Sequence, residues 1–508
     1  MKRYSRYLAV VAATLLVSCS DSFLEVKPKG TDLESNYYRN AQEAFNGLVA
    51  VYDVIGWQSN GYVTKVGAVN AASDDHFAGG GGPSDVTAFQ VFSNYTLTPA
   101  TGPQGDLWNK GFSGIFRANT ILQKLPGVSM DENVKKRYTA EAKFLRAYFY
   151  FDLVRFFKNI PLLTKTVATS EMYNVEQAAP SDVYKQIELD LTEAIAVLPT
   201  TVPVATEGGR VTQGTARALL GKVYLQQEKF TQAAQELAGV NGTPGGANPY
   251  GYKLLTNFAD LFKVSNKFNS ESIMEVSFTN TSAGGWGCVS CTEGNVLNIM
   301  VGPRGYRPIK ADAPDYVSGW SFLPVTADLF NAIRNDPRSK ATVANLDSLE
   351  KAGIATYEKG YMNTGYFLEK LAGRQANRWT GAGAPELNFP QNLYEIRLAD
   401  TYLLEAEALV RGSGDLTRAA LLLNAVRDRA YGDSKHRVAA TLDNIVAERR
   451  VELAGEGHRW FDLVRWGKAA AALGARGFVA GKNEILPIPL LEMENTKIQQ
   501  SKEWGGTK

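Results

Sequence analysis

Three clusters of side chains mix flat rings with polar groups in stretches where helical periodicity lapses. The first holds Trp57, Tyr62, Asp74, Asp75, His76 and Phe77, the second Trp286, Arg304, Tyr306, Tyr316 and Trp320, and the third Asn377, Arg378 and Trp379. Aromatic faces stack on apolar C–H surfaces, while amide, carboxylate and guanidinium groups bond hydroxyl edges. A sugar offers both kinds of surface. Core packing is the competing reading for any one ring, since buried Trp is common. Trp108, Trp460 and Trp466 fall inside helical patterns and read as core. Asp74-Asp75-His76 precedes the glycine run within Ala78 to Pro83, which puts these polar groups at a loop tip. A calcium ion there would need further oxygen ligands at fixed spacing, so no metal site is assigned.

Covalent chemistry has less behind it. Glu452, Glu456 and Asp462 are interleaved with Arg449, Arg450, Arg459 and Arg465. Cations so close lower carboxylate pKa values, the wrong direction for a general acid. A glycoside hydrolase needs two facing carboxylates, and a pair such as Asp75 and Asp312 is open, but no motif nominates it. No catalytic residue and no cofactor are assigned. Cys288 and Cys291 read as a local disulfide in an exported chain, where it would clip the loop beside Trp286. A redox pair or half of a zinc site is the alternative. Against it, the flanks Gly284 to Gly287 and Glu293 to Asn295 read as loop, and His76, His436 and His458 are far apart in sequence.

Export is read from the first residues. Lys2, Arg3 and Arg6 precede an apolar run from Leu8 to Val17, and Leu16-Val17-Ser18-Cys19 closes it. The run is about half the roughly 20 residues that span a bilayer, so it reads as a lipoprotein signal (1–18) cleaved to expose Cys19 for acylation. Residues 19–39 then form a lipidated leader and spacer. Without Lys2, Arg3 and Arg6 the formal charge of +2 becomes −1, which leaves no global field to draw nucleic acid.

Helices must position the loop clusters. Asp131 to Phe157 sets Ala142, Leu145, Phe149, Leu153 and Phe156 on one face, and Phe112, Ile115, Phe116, Ile121 and Leu122 fit another buried stripe. Ser181-Asp182 caps a helix through Leu198. Leu220-Gly221-Lys222-Val223-Tyr224 matches the core of a tetratricopeptide helix, with Phe230, Ala233 and Ala234 opening its partner, and residues 397–410 and 416–430 repeat the theme. The predicted fold is mainly α, a tetratricopeptide-like superhelix of helical hairpins in two regions, 40–240 and 392–508. Between them, 241–391 is a loop-rich irregular lobe assigned to the ligand.

The segment ERRVELAGEGHRWFDLVRWG, Glu448 to Gly467, resembles the signature of the SusD/RagB family of outer-membrane nutrient-binding lipoproteins. The likeness continues in CSDSFLEVKPKG at Cys19, LWNKGFSGIFRANTIL at Leu107, AEAKFLRAYFYFDLVRFFKNIPLL at Ala140, GRVTQGTARALLGKVYL at Gly209, RLADTYLLEAEAL at Arg397 and NEILPIPLLEMENTKIQQ at Asn483. The resemblance implies a lipoprotein anchored through Cys19 in outer-membrane lipid and facing the exterior. It also implies glycan capture without turnover, and a SusC-like TonB-dependent transporter as partner. Peptide capture is a variant the same resemblance supports, and a pure assembly protein is a further alternative.

Overall fold

Asp131 ends a loop and starts the longest helix, because its carboxylate accepts the otherwise unpaired N–H groups of Asn133 and Val134. The computed structural model describes residues 37–246, 248–282 and 284–506, so the signal, Cys19 and most of the spacer lie outside the described residues. Helices α1 (Ala41–Ser59), α2 (Lys65–Ala72), α3 (Thr87–Ser93), α4 (Gln104–Lys124), α5 (Glu132–Phe157) and α6 (Pro180–Ile195) come first. A hairpin comes next, α7 (Gln213–Gln226) and α8 (Phe230–Asn241). After an irregular stretch come α9 (Leu398–Arg411), α10 (Leu416–Tyr431), α11 (Leu442–Glu452) and α12 (Arg459–Arg465). Helix α4 packs on α1, α5 on α4, α6 on α5, α7 on α6, α8 on α7, α9 on α8 and α10 on α9. The protein is therefore mainly α, a continuous stack in which each hairpin buries its apolar face on the next.

The predicted face of α5 is buried throughout, and Gly221 shows how closely the hairpins approach. A Cβ built there would lie 2.5 Å from Leu237 Cγ, so any larger residue would push α8 off α7. Two local expectations need correcting. Helix α6 starts at Pro180 with Ala179 as its cap, because Pro at the first helical position already supplies the required φ, and it stops at Ile195. Phe116 is 54% exposed, so α4 turns part of its apolar stripe outward.

Short elements dominate the middle of the chain. Strand β1 (Ser272–Val276) pairs antiparallel with β2 (Leu393–Arg397), and thereby ties this lobe to the start of α9. Buried charges make a second tie. Arg397 reaches Glu271 at 2.9 Å and Glu456 at 2.8 Å and also pairs with Glu452, while Arg338 bonds Glu448 and Glu452, each at 2.6 Å. Lys370 Nζ completes the cluster on Glu456 at 2.7 Å. Burial pushes Glu456 up, but Arg397 and Lys370 outweigh it and hold its carboxyl down at about 2; burial likewise opposes ionisation of Glu452, but Arg429, Arg397 and Arg338 hold it well below the usual range. The carboxylates of the C-terminal signature thus knit helices to the irregular lobe and have no free role in acid–base chemistry.

Candidate functional site

Three rings stand in a row on one open face: Tyr62, Trp320 and Trp286. Ring centroids lie 6.2 Å apart for Tyr62 and Trp320, with planes at 43°, and 6.0 Å apart for Trp320 and Trp286, with planes at 36°. Tyr62 is 42% and Trp286 55% exposed, so both rings leave a large part of their surface open. They line a groove of about 650 Å³ with Asp85, Arg304 and Phe322. Arg304 Nη2 donates to the Trp320 carbonyl at 3.1 Å and lies 3.9 Å from Asp85, so a cation and an anion sit beside the aromatic shelf. The site therefore offers stacking faces and both polarities of hydrogen-bonding group.

The backbone beneath Trp320 is strained and tightly held. Ser321 (φ 63°) and Leu323 (φ 54°) occupy the left-handed region, as does Val86 (φ 44°), which also lines the groove. Trp320 and Phe322 donate their N–H groups to Ile299 and Met300 at 2.9 and 2.8 Å, and residues 76–80 lie along the other edge, with Gly80 donating to Ser321 O and Leu323 to Ala78 O. A Cβ on Gly79 would come within 2.4 Å of Ser321 O, so glycine is required for that approach.

This arrangement corrects the placement of Asp74, Asp75, His76 and Phe77, which form the foundation of the groove instead of a loop tip. Arg459 Nε and Nη2 grip Asp74 at 2.8 Å each, and Arg450 Nε bonds Asp75 at 2.7 Å. His76 is fully buried with Nδ1 3.0 Å from Leu323 O, and Arg476 stacks on Phe77 at 4.3 Å. Burial lowers His76 to about 4, so the ring is neutral and its Nδ1–H donates. Burial raises Asp75, whereas at Asp74 the opposing pull of Arg459 and Arg450 wins and lowers it. The arginines responsible come some 375 to 385 residues later in the chain, beyond any local pattern.

Other expected residues also fall elsewhere. Tyr306 and Tyr316 are buried against each other, 5.2 Å between centroids, with hydroxyls donating to Pro314 O and Glu369 Oε2. They serve a small satellite core with Phe367 and Tyr357. Trp57 is covered by the Arg117 guanidinium at 4.2 Å and lines a separate cleft with Phe112 and Phe116. Trp379 folds over its own loop, its Nε1 donating to Ala382 O at 2.6 Å. Of the candidate residues read from the sequence, the groove gathers Tyr62, Trp286, Arg304 and Trp320. Sequence patterning misses Asp85; its position just after the glycine run is the available signal, since Gly81 N–H bonds its Oδ2 at 2.8 Å. Cys288 and Cys291 are joined as a disulfide.

A stack of helical hairpins thus displays an open groove lined by aromatic rings together with Asp85 and Arg304. Comparison with known proteins narrows this. A model of the SusD family matches residues 348–484, and one described as starch-binding and associating with the outer membrane matches 23–225. The chain is 53% identical to a laminarin-binding SusD-like protein of known structure, over 91% of this chain and 99% of that one, with a TM-score of 0.88. Surface glycan-binding protein A from Bacteroides thetaiotaomicron, solved with laminarihexaose, is 27% identical over 90% of this chain and 97% of that one, TM-score 0.79. A SusD-like protein of Bacteroides ovatus is 27% identical over 90% of this chain and 82% of its own. The chain belongs to the SusD/RagB family.

Proposed function

We propose that this protein captures oligosaccharides of β-1,3-linked glucose at the cell surface, holds them without breaking a bond, and passes them to a SusC-like TonB-dependent transporter. The observation that carries this reading is the row Tyr62, Trp320 and Trp286. Its successive planes are tilted by 43° and 36°, so the rings do not form one flat shelf. A β-1,4-glucan is a flat ribbon, whereas a β-1,3-glucan winds, and a bent shelf meets a winding chain at more than one sugar. The laminarin and laminarihexaose named for two relatives are ligands of this type.

Capture without turnover is supported by the lining itself. Among the described residues of the groove Asp85 is the one carboxylate, whereas most glycoside hydrolases use a pair. Of the pair Asp75 and Asp312, Asp75 is 1% exposed beneath Arg450, and neither lines the groove. Anchoring through Cys19 is supported by the signal pattern before it, and outer-membrane association by the description of the matched family. Among the described residues no helix is long and apolar enough to cross a membrane.

Calorimetric titration of the full chain with laminarihexaose, cellohexaose, maltohexaose and a mixed oligopeptide pool tests the ligand. Binding heat with laminarihexaose and none with the others is expected. Preference for cellohexaose or for peptide would overturn the ligand class, and shortened products after prolonged incubation would overturn capture without turnover.

A further inference from the structure

The three rings of the groove arrive on three separate segments, and they are not held equally. Trp320 is fixed by backbone bonds on both sides of its chain. Trp286 sits between Gly285 and Gly287, and a Cβ added at either would meet open space, so neighbouring side chains do not hem that segment in. Immediately after Trp286 the chain makes a tight return. Cys288 N–H donates to Gly285 O at 3.2 Å, Cys291 N–H to Cys288 O at 3.1 Å, and the Cys288–Cys291 bridge closes the turn.

The turn then enters the interior at Thr292, which is 4% exposed. Asn60, itself 3% exposed, grips it there: Nδ2 donates to the Thr292 carbonyl and, at 2.9 Å, to Thr292 Oγ1. The other end of the same amide accepts Gly61 N–H at 2.7 Å and shapes the bend, Gly61 φ 83°, that presents Tyr62. Lys110 Nζ donates to the carbonyls of Asn60 and Val63 and closes that bend from below. One buried amide therefore joins the segment carrying Tyr62 to the clipped turn carrying Trp286, with Trp320 between them.

We infer that Asn60 and the Cys288–Cys291 bridge are positioning residues for ligand capture, setting Tyr62 and Trp286 at their stations about Trp320 before a sugar arrives. The inference rests on the groove being the glycan site. Its physical content is preorganisation: a ring already ordered in the free protein loses less freedom on binding than one on a loose glycine-flanked loop. Neither cysteine need touch the ligand.

The test combines two readouts on the full chain in detergent. Cys288 and Cys291 are exposed, so Cys288→Ser/Cys291→Ser leaves the core intact. Laminarihexaose affinity is expected to fall roughly 2- to 10-fold in this variant, the scale of one freed side chain. In a Trp286→Ala background the same change should add less than about twofold, because the ring it served is gone. Equal weakening in both backgrounds, or none in the first, would overturn the inference. Amide hydrogen exchange, read without sugar, should quicken at residues 284–292 and also at 60–63 in the serine variant; quickening confined to 284–292 would refute the coupling through Asn60. Asn60→Asp, which keeps the acceptor for Gly61 and removes the donor to Thr292, should give the same exchange pattern. If the unmodified chain binds no laminarihexaose, the proposed function fails, and the exchange data still decide the coupling.

Discussion

Removing the Trp286 indole isolates the contribution of the shelf to binding, because the ring does little for the fold. With 55% of its surface open, truncation to alanine leaves no large cavity. A fully enclosed indole buries roughly 150–250 Å², and a stacked sugar covers about one face, or about 100 Å². At about 25 cal/mol per Å² that contact contributes about 2.5 kcal/mol, of which ordering the loop and the sugar offsets part. Trp286→Ala should therefore weaken laminarihexaose by about 2 kcal/mol, or roughly 30-fold, in the range of an interface hot spot. Trp320→Ala should cost at least as much, since both outer rings lie about 6 Å from it. Titration calorimetry reads the affinity and a thermal melt controls for folding. Affinities within twofold of the parent in both variants, with unchanged melting, would show that the rings are not the binding surface.

The misplaced candidates yield predictions of the opposite kind. Asp75→Asn strips a buried partner from Arg450 and should destabilise the protein by about 3 kcal/mol by denaturant titration; any change in affinity should come only from loss of folded protein, and weaker binding by an undiminished fold would return Asp75 to the site. Tyr316→Phe removes the hydroxyl bonded to Glu369, with a stability cost of about 1 kcal/mol and no effect on laminarihexaose titration. Acid should unfold the protein in two overlapping stages. Buried His76 and His458, both lowered from 6.5 to about 4, contribute stability that is full above pH 6.5 and drains as pH falls toward 4. Glu456, lowered from 4.5 to about 2, contributes about 3 kcal/mol above pH 4.5 that is lost as pH falls through about 2. A stability profile flat from pH 6.5 to 2 would contradict the buried network.

Local periodicity carried most of the helices. The cap at Asp131, the buried face of α5 and the close-packed Gly221 hairpin all rest on residues within a few turns of one another, and pattern reading reaches that far. The ring row was only partly legible, because its members come from positions 62, 286 and 320 and meet through contacts that no spacing encodes. Asp74 to Phe77 shows the same limit in reverse. A polar triplet beside glycines reads as a loop tip, but Arg450, Arg459 and Arg476 arrive from the far end of the chain to bury it. Tyr306 and Tyr316 read as site rings on composition alone, and their hydroxyl partners at Pro314 and Glu369 assign them to packing.

The most direct measurement is a crystal structure of the protein with laminarihexaose. Sugar rings lying over Trp320 and Trp286, with hydroxyl edges at Asp85 and Arg304, are the result expected if the three-ring row is the capture surface. Sugar bound instead in the cleft of Trp57 and Phe116, or at any surface away from that row, would contradict it.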